Sequence, residues 1–216
     1  MNNGDDSIKK LEWRYAVKKF DDEKYLSPEK VTRLKKAFNL TATSYGLQPI
    51  KLLVIKDKKL QEKLVAHSFG QQQVLQASHV LVICIQTAID KSYITKYFNQ
   101  IKRVRGTGDD ILNPFKDALV SEFSKKKEKE IKEWSTNQAY LALGNLLTVC
   151  AMEKIDSCPM EGFVPKAYDD LLGLSDRGLS SVLVLPVGYR AKDDMFSNFK
   201  KVRKNLEDSI IEFFDE

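Results

Sequence analysis

The chain has 216 residues, 43% hydrophobic and 30% charged, with a formal net charge of +5. That length is enough for one sizeable core, and residues 1–216 read as a single domain because no linker or repeat divides them. No apolar run approaches the roughly 20 residues of a membrane span, and so modest a charge is weak grounds for a nucleic-acid partner.

Residues 1–6 are polar and acidic, which argues against a secretory signal and makes a cytoplasmic location the expectation. Ile8, Leu11 and Tyr15 recur at helical spacing, so a helix is predicted to open the fold. Arg14 and Lys18 would then sit one turn apart on the same face. Ser27 as N-cap, Pro28 at the first helical position and Glu29 beside it start a second helix, with Val31, Leu34 and Phe38 on one face. Residues 41–46 read as a loop, and Gln48-Pro49 leads into a strand at 52–55. A helix over 58–67 turns Leu60, Leu64 and Val65 inward. The β-branched run at 80–85 predicts a strand buried on both faces.

From Asp90 to about Trp134 the chain is polar and helical, broken by a turn at Gly106-Thr107-Gly108. The charged run at 125–130 reads as a solvated helix face. Residues 137–152 leave almost no polar side, so this helix must be covered all round, in a core or at a subunit interface. Another buried strand at 181–187 ends at Gly188. Ile210, Phe213 and Phe214 form an apolar stripe that predicts docking of the tail. Helices predominate, with strands scattered among them, and the fold class is α+β.

Simple catalytic signatures are missing: GxGxxG after a strand, GxxxxGK[ST], HExxH and GxSxG. Of two histidines, His67 ends a helix and His79 begins a strand; both read as structural, which disfavours a hydrolase with a histidine base. Cys84, Cys150 and Cys158 lie in or beside apolar stretches without metal-ligand spacing, so buried thiols and no metal are expected. Two basic clusters remain, Arg14 with Lys18, and Lys200, Lys201, Arg203 and Lys204. Spacing alone leaves two readings open: solvated surfaces, or a phosphate grip in which arginine offers a bidentate fork.

Six segments follow one another along the chain: Arg14-Tyr15-Ala16-Val17-Lys18-Lys19-Phe20, Gln48-Pro49, Ala77-Ser78-His79, Asn137-Gln138-Ala139-Tyr140-Leu141-Ala142-Leu143-Gly144-Asn145, Pro159-Met160-Glu161-Gly162-Phe163 and Leu185-Pro186-Val187-Gly188-Tyr189. In this order they resemble the nitroreductase family, in particular the oxygen-insensitive, FMN-dependent NAD(P)H nitroreductase and dihydropteridine reductase type. The resemblance spans about residues 8–203. It implies a nitroreductase-like α+β fold, with a central, mainly antiparallel sheet flanked by helices. It also implies an intertwined homodimer with FMN at the subunit interface, and NADH or NADPH as electron donor. Hydride would pass by a ping-pong route through flavin N5 to a nitroaromatic, quinone or pteridine-like acceptor. No nucleic acid, membrane or metal partner is implied.

The resemblance assigns roles residue by residue. Arg14, Lys201 and Arg203 would bind the FMN phosphate, with Tyr15 and Ala16 standing where histidine and serine are frequent. Lys18 would reach the N1–O2 edge of the flavin, where two-electron reduction places negative charge that a cation stabilises. Thr43 and Ser44 match the usual small hydroxyl loop. Gly70, Gln71 and Gln73 would border the ring, with Gln73 replacing a common basic residue. Pro159, Met160, Glu161 and Gly162 would lie along it, the backbone of Glu161 and Gly162 next to N5, where a residue without Cβ allows close approach. No side chain is assigned as acid or base. Phe115 and Phe123, with Tyr97, are candidates for the aromatic that closes the substrate pocket from the partner subunit. The alternative is a flavin-binding redox sensor or an interaction module without turnover, its basic clusters meeting an acidic partner.

Overall fold

The computed structural model describes residues 3–214, with side chains from Asp6 onward; Met1 and Asn2, part of the polar start, lie outside the described residues. Four antiparallel strands form one sheet in the order β1 (Ile50–Ile55), β2 (His79–Gln86), β4 (Leu179–Gly188), β3 (Asp156–Ser157). The expected α+β architecture, with an antiparallel sheet flanked by helices, is therefore present. Strand β2 lies between β1 and β4, and its alternation feeds two cores. Val80, Val82 and Cys84 face a layer with Leu64, Val74 and Tyr168, while Leu81, Ile83 and Ile85 face Leu34, Ala142 and Leu146. Such a strand must be apolar on both sides, as its sequence is.

The first layer comes from α3 (Lys58–Ala66), the single turn α4 (Gln73–Gln76) and α8 (Pro165–Leu172). The second comes from α2 (Pro28–Asn39) and α7 (Glu128–Met152). Ser27 caps α2 as predicted, its Oγ accepting the Lys30 N–H at 3.4 Å, and Pro28 is the first helical residue. A third cluster joins α5 (Lys91–Arg105) and α6 (Asp109–Lys125) to the start of α7 through Ile94, Phe98, Leu119, Phe123 and Ile131. The Gly106 turn ends α5 in the left-handed conformation (φ 68), which glycine adopts without Cβ strain.

Four sequence expectations need correction. The opening helix α1 (Asn3–Trp13) stops before Arg14, so Arg14 and Lys18 do not share a helix face. The charged run at 125–130 is the junction of α6 and α7 rather than one helix surface. Helix α7 is longer than predicted: it begins at Glu128, and within it Ala139, Ala142 and Leu146 pack inward, while Tyr140, Leu141 and Gly144 are exposed on this single chain. Strand β3 and helix α8 had no counterpart among the predicted elements. No described helix is long and apolar enough to cross a membrane.

Candidate functional site

Beyond Trp13 the backbone runs extended because it pairs with the sheet edge. Ala16 bridges Ser157 in parallel, Val17 N–H donates to the Ser157 carbonyl at 3.2 Å, and Phe20 bridges Arg190. Val17 and Phe20 are buried by this pairing, whereas Lys18 remains exposed. Arg14, Tyr15, Ala16 and Lys18 thereby line one cleft of about 570 Å³, together with Lys200, Lys201 and Arg203 from the chain beyond β4. The two basic clusters, far apart in sequence, meet there.

The cleft is electrostatically unfinished. Burial, then Arg203, push the pKa of Arg14 down; burial, Arg14 and Arg203 do the same to Lys201. Like charges crowded in a partly desolvated place are stabilised by a bound anion. Lys201 Nζ donates to the Arg14 carbonyl, while Arg14 Nε is buried with no hydrogen-bond partner among the described residues. An unpaired buried guanidinium N–H is costly, and a phosphate oxygen is the acceptor that suits it.

Three residues without assigned sequence roles hold this cleft. Arg190 lies between two rings, 4.3 Å from the Trp13 centroid and 4.5 Å from that of Tyr15. It is ion-paired with buried Asp156: Nε to Oδ1 at 2.8 Å, Nη2 to Oδ1 at 2.6 Å, and backbone N–H to Oδ2 at 2.8 Å. Asp194 accepts bonds from Tyr15 OH and from the backbone of Lys18, Lys19 and Phe196. Apart from the local cap of Asp194 on Phe196, these pairings span long sequence separations, and no local spacing announces them.

None of Pro159–Phe163 lines this cleft, but the stretch begins within electrostatic reach of it. Lys18 acts electrostatically on Cys158, the residue before Pro159. Met160 exchanges backbone bonds with Val184 at 2.8 and 3.1 Å, which anchors the segment to β4. Gln71 Nε2 donates to the Gly162 carbonyl at 2.8 Å, and a Cβ on Gly162 would meet that nitrogen at 3.1 Å. Tyr140 OH donates to Glu161 Oε1 at 2.6 Å. Gly70 has φ 75, and Gln73 is buried in the one-turn α4. Cys150, near Arg14, and Tyr140, at Glu161, are ten residues apart on α7, about 15 Å along its axis. The cationic cleft and the glycine segment thus lie toward different points along one helix.

Thr43 and Ser44 do not line the Arg14 cleft. Thr43 Oγ1 accepts the Gln48 N–H at 3.0 Å, and Ser44 N–H donates to Gln138 Oε1 at 2.8 Å. Gln138 is about 18 Å from Cys150 along the α7 axis. The candidate aromatics stand near Thr43 and Ser44. Tyr45, at φ 57, packs edge-on to Phe115 (6.3 Å) and Phe123 (6.4 Å), and Tyr97 packs on Phe98. Phe115 is 47% and Tyr45 41% exposed, but Phe123 is only 2% exposed, so Phe123 supports the cluster from within. A separate cleft of about 460 Å³ beside β1 contains none of the candidate site residues.

The remaining chemistry is quiet. All three thiols are buried and unpaired, and burial pushes those of Cys84 and Cys150 up to about 12. His79 Nδ1 lies 2.9 Å from Ser78 Oγ, and burial lowers its pKa, followed by nearby lysines. No group of metal-ligating side chains occurs among the described residues.

The model of the Nitroreductase family matches residues 11–189. A Staphylococcus aureus protein named "Putative NAD(P)H nitroreductase" is 34% identical over 208 residues, covering 92% of this chain and 91% of its own length. Among solved structures, a nitroreductase-like protein from Streptococcus mutans superposes with a TM-score of 0.84 at 22% identity, covering 98% of this chain and 100% of its own. One from Exiguobacterium sibiricum, solved in complex with FMN, gives 0.81 at 17% identity, covering 95% and 96%.

Proposed function

Because the chain belongs to the nitroreductase family, we propose that it is an FMN-dependent NAD(P)H oxidoreductase passing hydride to nitroaromatic, quinone or pteridine-like acceptors. The observation that carries the FMN assignment is the unpartnered Arg14 Nε, buried in a cleft with Lys18, Lys201 and Arg203. That donor set fits a phosphate: one arginine fork with a free N–H, a second arginine and the Lys201 ammonium, with Lys18 left for the ring.

Bound FMN would supply the ring that accepts and returns hydride. The chain's residues do the rest. Arg14, Lys201 and Arg203 hold the phosphate, beside Tyr15 and Ala16. Lys18 places an ammonium where negative charge develops on the pyrimidine side. Gly70, Gln71 and Gln73, together with Pro159, Met160, Glu161 and Gly162, would border the ring, Gln71 and Gly162 from one place because they touch each other. Gln71 fixes the Gly162 peptide, and Tyr140 ties down the Glu161 carboxylate, so neither is cast as a proton donor. Catalysis is then mainly orientation of donor and acceptor in one place.

Two clusters separated along α7 support a homodimer. Thr43 and Ser44, with the exposed aromatics Tyr45 and Phe115, would complete the site of a second copy. The exposed face of α7 and the exposed stripe Ile210, Phe213 and Phe214 are apolar surface that such a copy would cover. Steady-state kinetics test the shared place: double-reciprocal plots at several acceptor concentrations are expected to be parallel. Intersecting lines would require donor and acceptor to be bound together and would overturn the ping-pong route.

A further inference from the structure

We propose that Asp194 is the positioning residue that joins the two cation-bearing segments into one phosphate grip, an inference that rests on the FMN reading. Asp194 is 3% exposed, and its two oxygens serve different segments. Oδ2 accepts Tyr15 OH at 2.9 Å, Lys18 N–H at 3.0 Å and Lys19 N–H at 3.3 Å. Oδ1 accepts Phe196 N–H at 3.1 Å, capping the short turn Met195–Asn198. The first three bonds fix the strip carrying Arg14 and Lys18. The fourth fixes the start of the chain that reaches Lys201 and Arg203.

The physical need is plain. Both strips are basic, and Arg203 acts on Arg14 and Lys201 as a like charge. Their like charges oppose this approach, which Lys201 Nζ on the Arg14 carbonyl and Ala191 N–H on the Lys19 carbonyl at 3.0 Å already support, and any freedom left would have to be frozen out by an incoming phosphate. A buried acid that binds both backbones removes that ordering cost in advance. Its charge is directed to N–H and O–H donors; among the described residues it forms no ion pair with Arg14, Lys18, Lys201 or Arg203. The cations therefore stay available to the ligand. Burial alone would raise the Asp194 pKa, but the bonds from Lys18, Phe196, Tyr15 and Lys19 outweigh it and hold the carboxyl below its ordinary range.

An asparagine cannot replace it. One of its two positions becomes an NH₂, which must face either Phe196 N–H or the donors of Tyr15, Lys18 and Lys19. A serine can still cap Phe196 but is too short to bridge. The test is to titrate FMN and riboflavin, which lacks the phosphate, into flavin-stripped wild type, Asp194→Asn and Asp194→Ser. We expect both variants to lose about tenfold in FMN affinity and clearly less in affinity for riboflavin, which keeps only the ring contact of Lys18. A general loosening of the fold would weaken both flavins alike, and an equal loss would overturn the proposal. Wild-type preference in Asp194→Ser would overturn it too, reducing Asp194 to a turn cap. If Asp194→Asn does not fold, Asp194→Ser decides. A wild type that takes up neither flavin would overturn the FMN reading and this inference with it, which distinguishes the two failures.

Discussion

Replacing Arg14 by alanine is expected to lower FMN affinity by about a hundredfold or more, corresponding to the loss of a bidentate, charge-assisted contact. Three features of this guanidinium set it apart. It is partly desolvated beside Arg203, its Nε is buried without an acceptor, and it sits at the point where both basic segments meet. Without a phosphate, Arg14 carries a desolvation cost that nothing in the cleft offsets. With one, the same N–H groups become the strongest donors present. Arg14→Lys keeps the charge but not the fork, and about a tenfold loss is expected. Equilibrium dialysis or flavin fluorescence measures both. Undiminished FMN retention in Arg14→Ala would mean that the phosphate lies elsewhere.

Replacing Asp156 by alanine is expected to destabilise the folded protein by about 3 kcal/mol, or roughly 6–12 °C in Tm. The Asp156 side chain is 5% and that of Arg190 22% exposed. Removing the acid strands a guanidinium beside the Trp13 and Tyr15 rings, breaks its ion pair and leaves two hydrogen-bond donors of one residue unanswered. Removing both charges costs less than removing one, so Asp156→Ala with Arg190→Met should recover part of the loss. Thermal unfolding at fixed protein and FMN concentrations reads this, since ligand and association both shift Tm. A single variant as stable as wild type would show that Arg190 is held by its aromatic neighbours alone.

How much of this was legible in the residues differs by element. Local chemistry was readable wherever it was self-contained: the Ser27-Pro28 helix start, the two-faced run of β2, and the glycine turn between α5 and α6. The helix predicted through Tyr15 failed because Ile8, Leu11 and Tyr15 fit a helical period, while pairing of Ala16 with Ser157 draws the chain into an extended strip. Tertiary pairing overrode local periodicity there. Strand β3 has only two residues, too few for any period to show.

The site divides in the same way. Arg14, Lys18, Lys201 and Arg203 were recognisable as charge clusters, yet spacing could not say that they meet. The acids that arrange them, Asp156 and Asp194, lie in a sequence with 30 aspartates and glutamates and have no motif of their own. Their roles depend on partners 34 and up to 179 positions away. The apolar helix at 137–152 was read as needing cover on every side. In the single chain its Tyr140, Leu141 and Gly144 are exposed, the face that the proposed second copy would cover.

The central claim is that this cleft holds an FMN which reduced nicotinamide can reduce. The most direct measurement is anaerobic addition of NADH or NADPH to the purified, FMN-reconstituted protein while following visible flavin absorption. The account predicts a yellow protein bleached by at least one of the two and recoloured by a nitroaromatic or quinone. A colourless protein that refuses added FMN would contradict it. A yellow protein that neither nucleotide bleaches would instead fit a flavin-binding sensor without turnover.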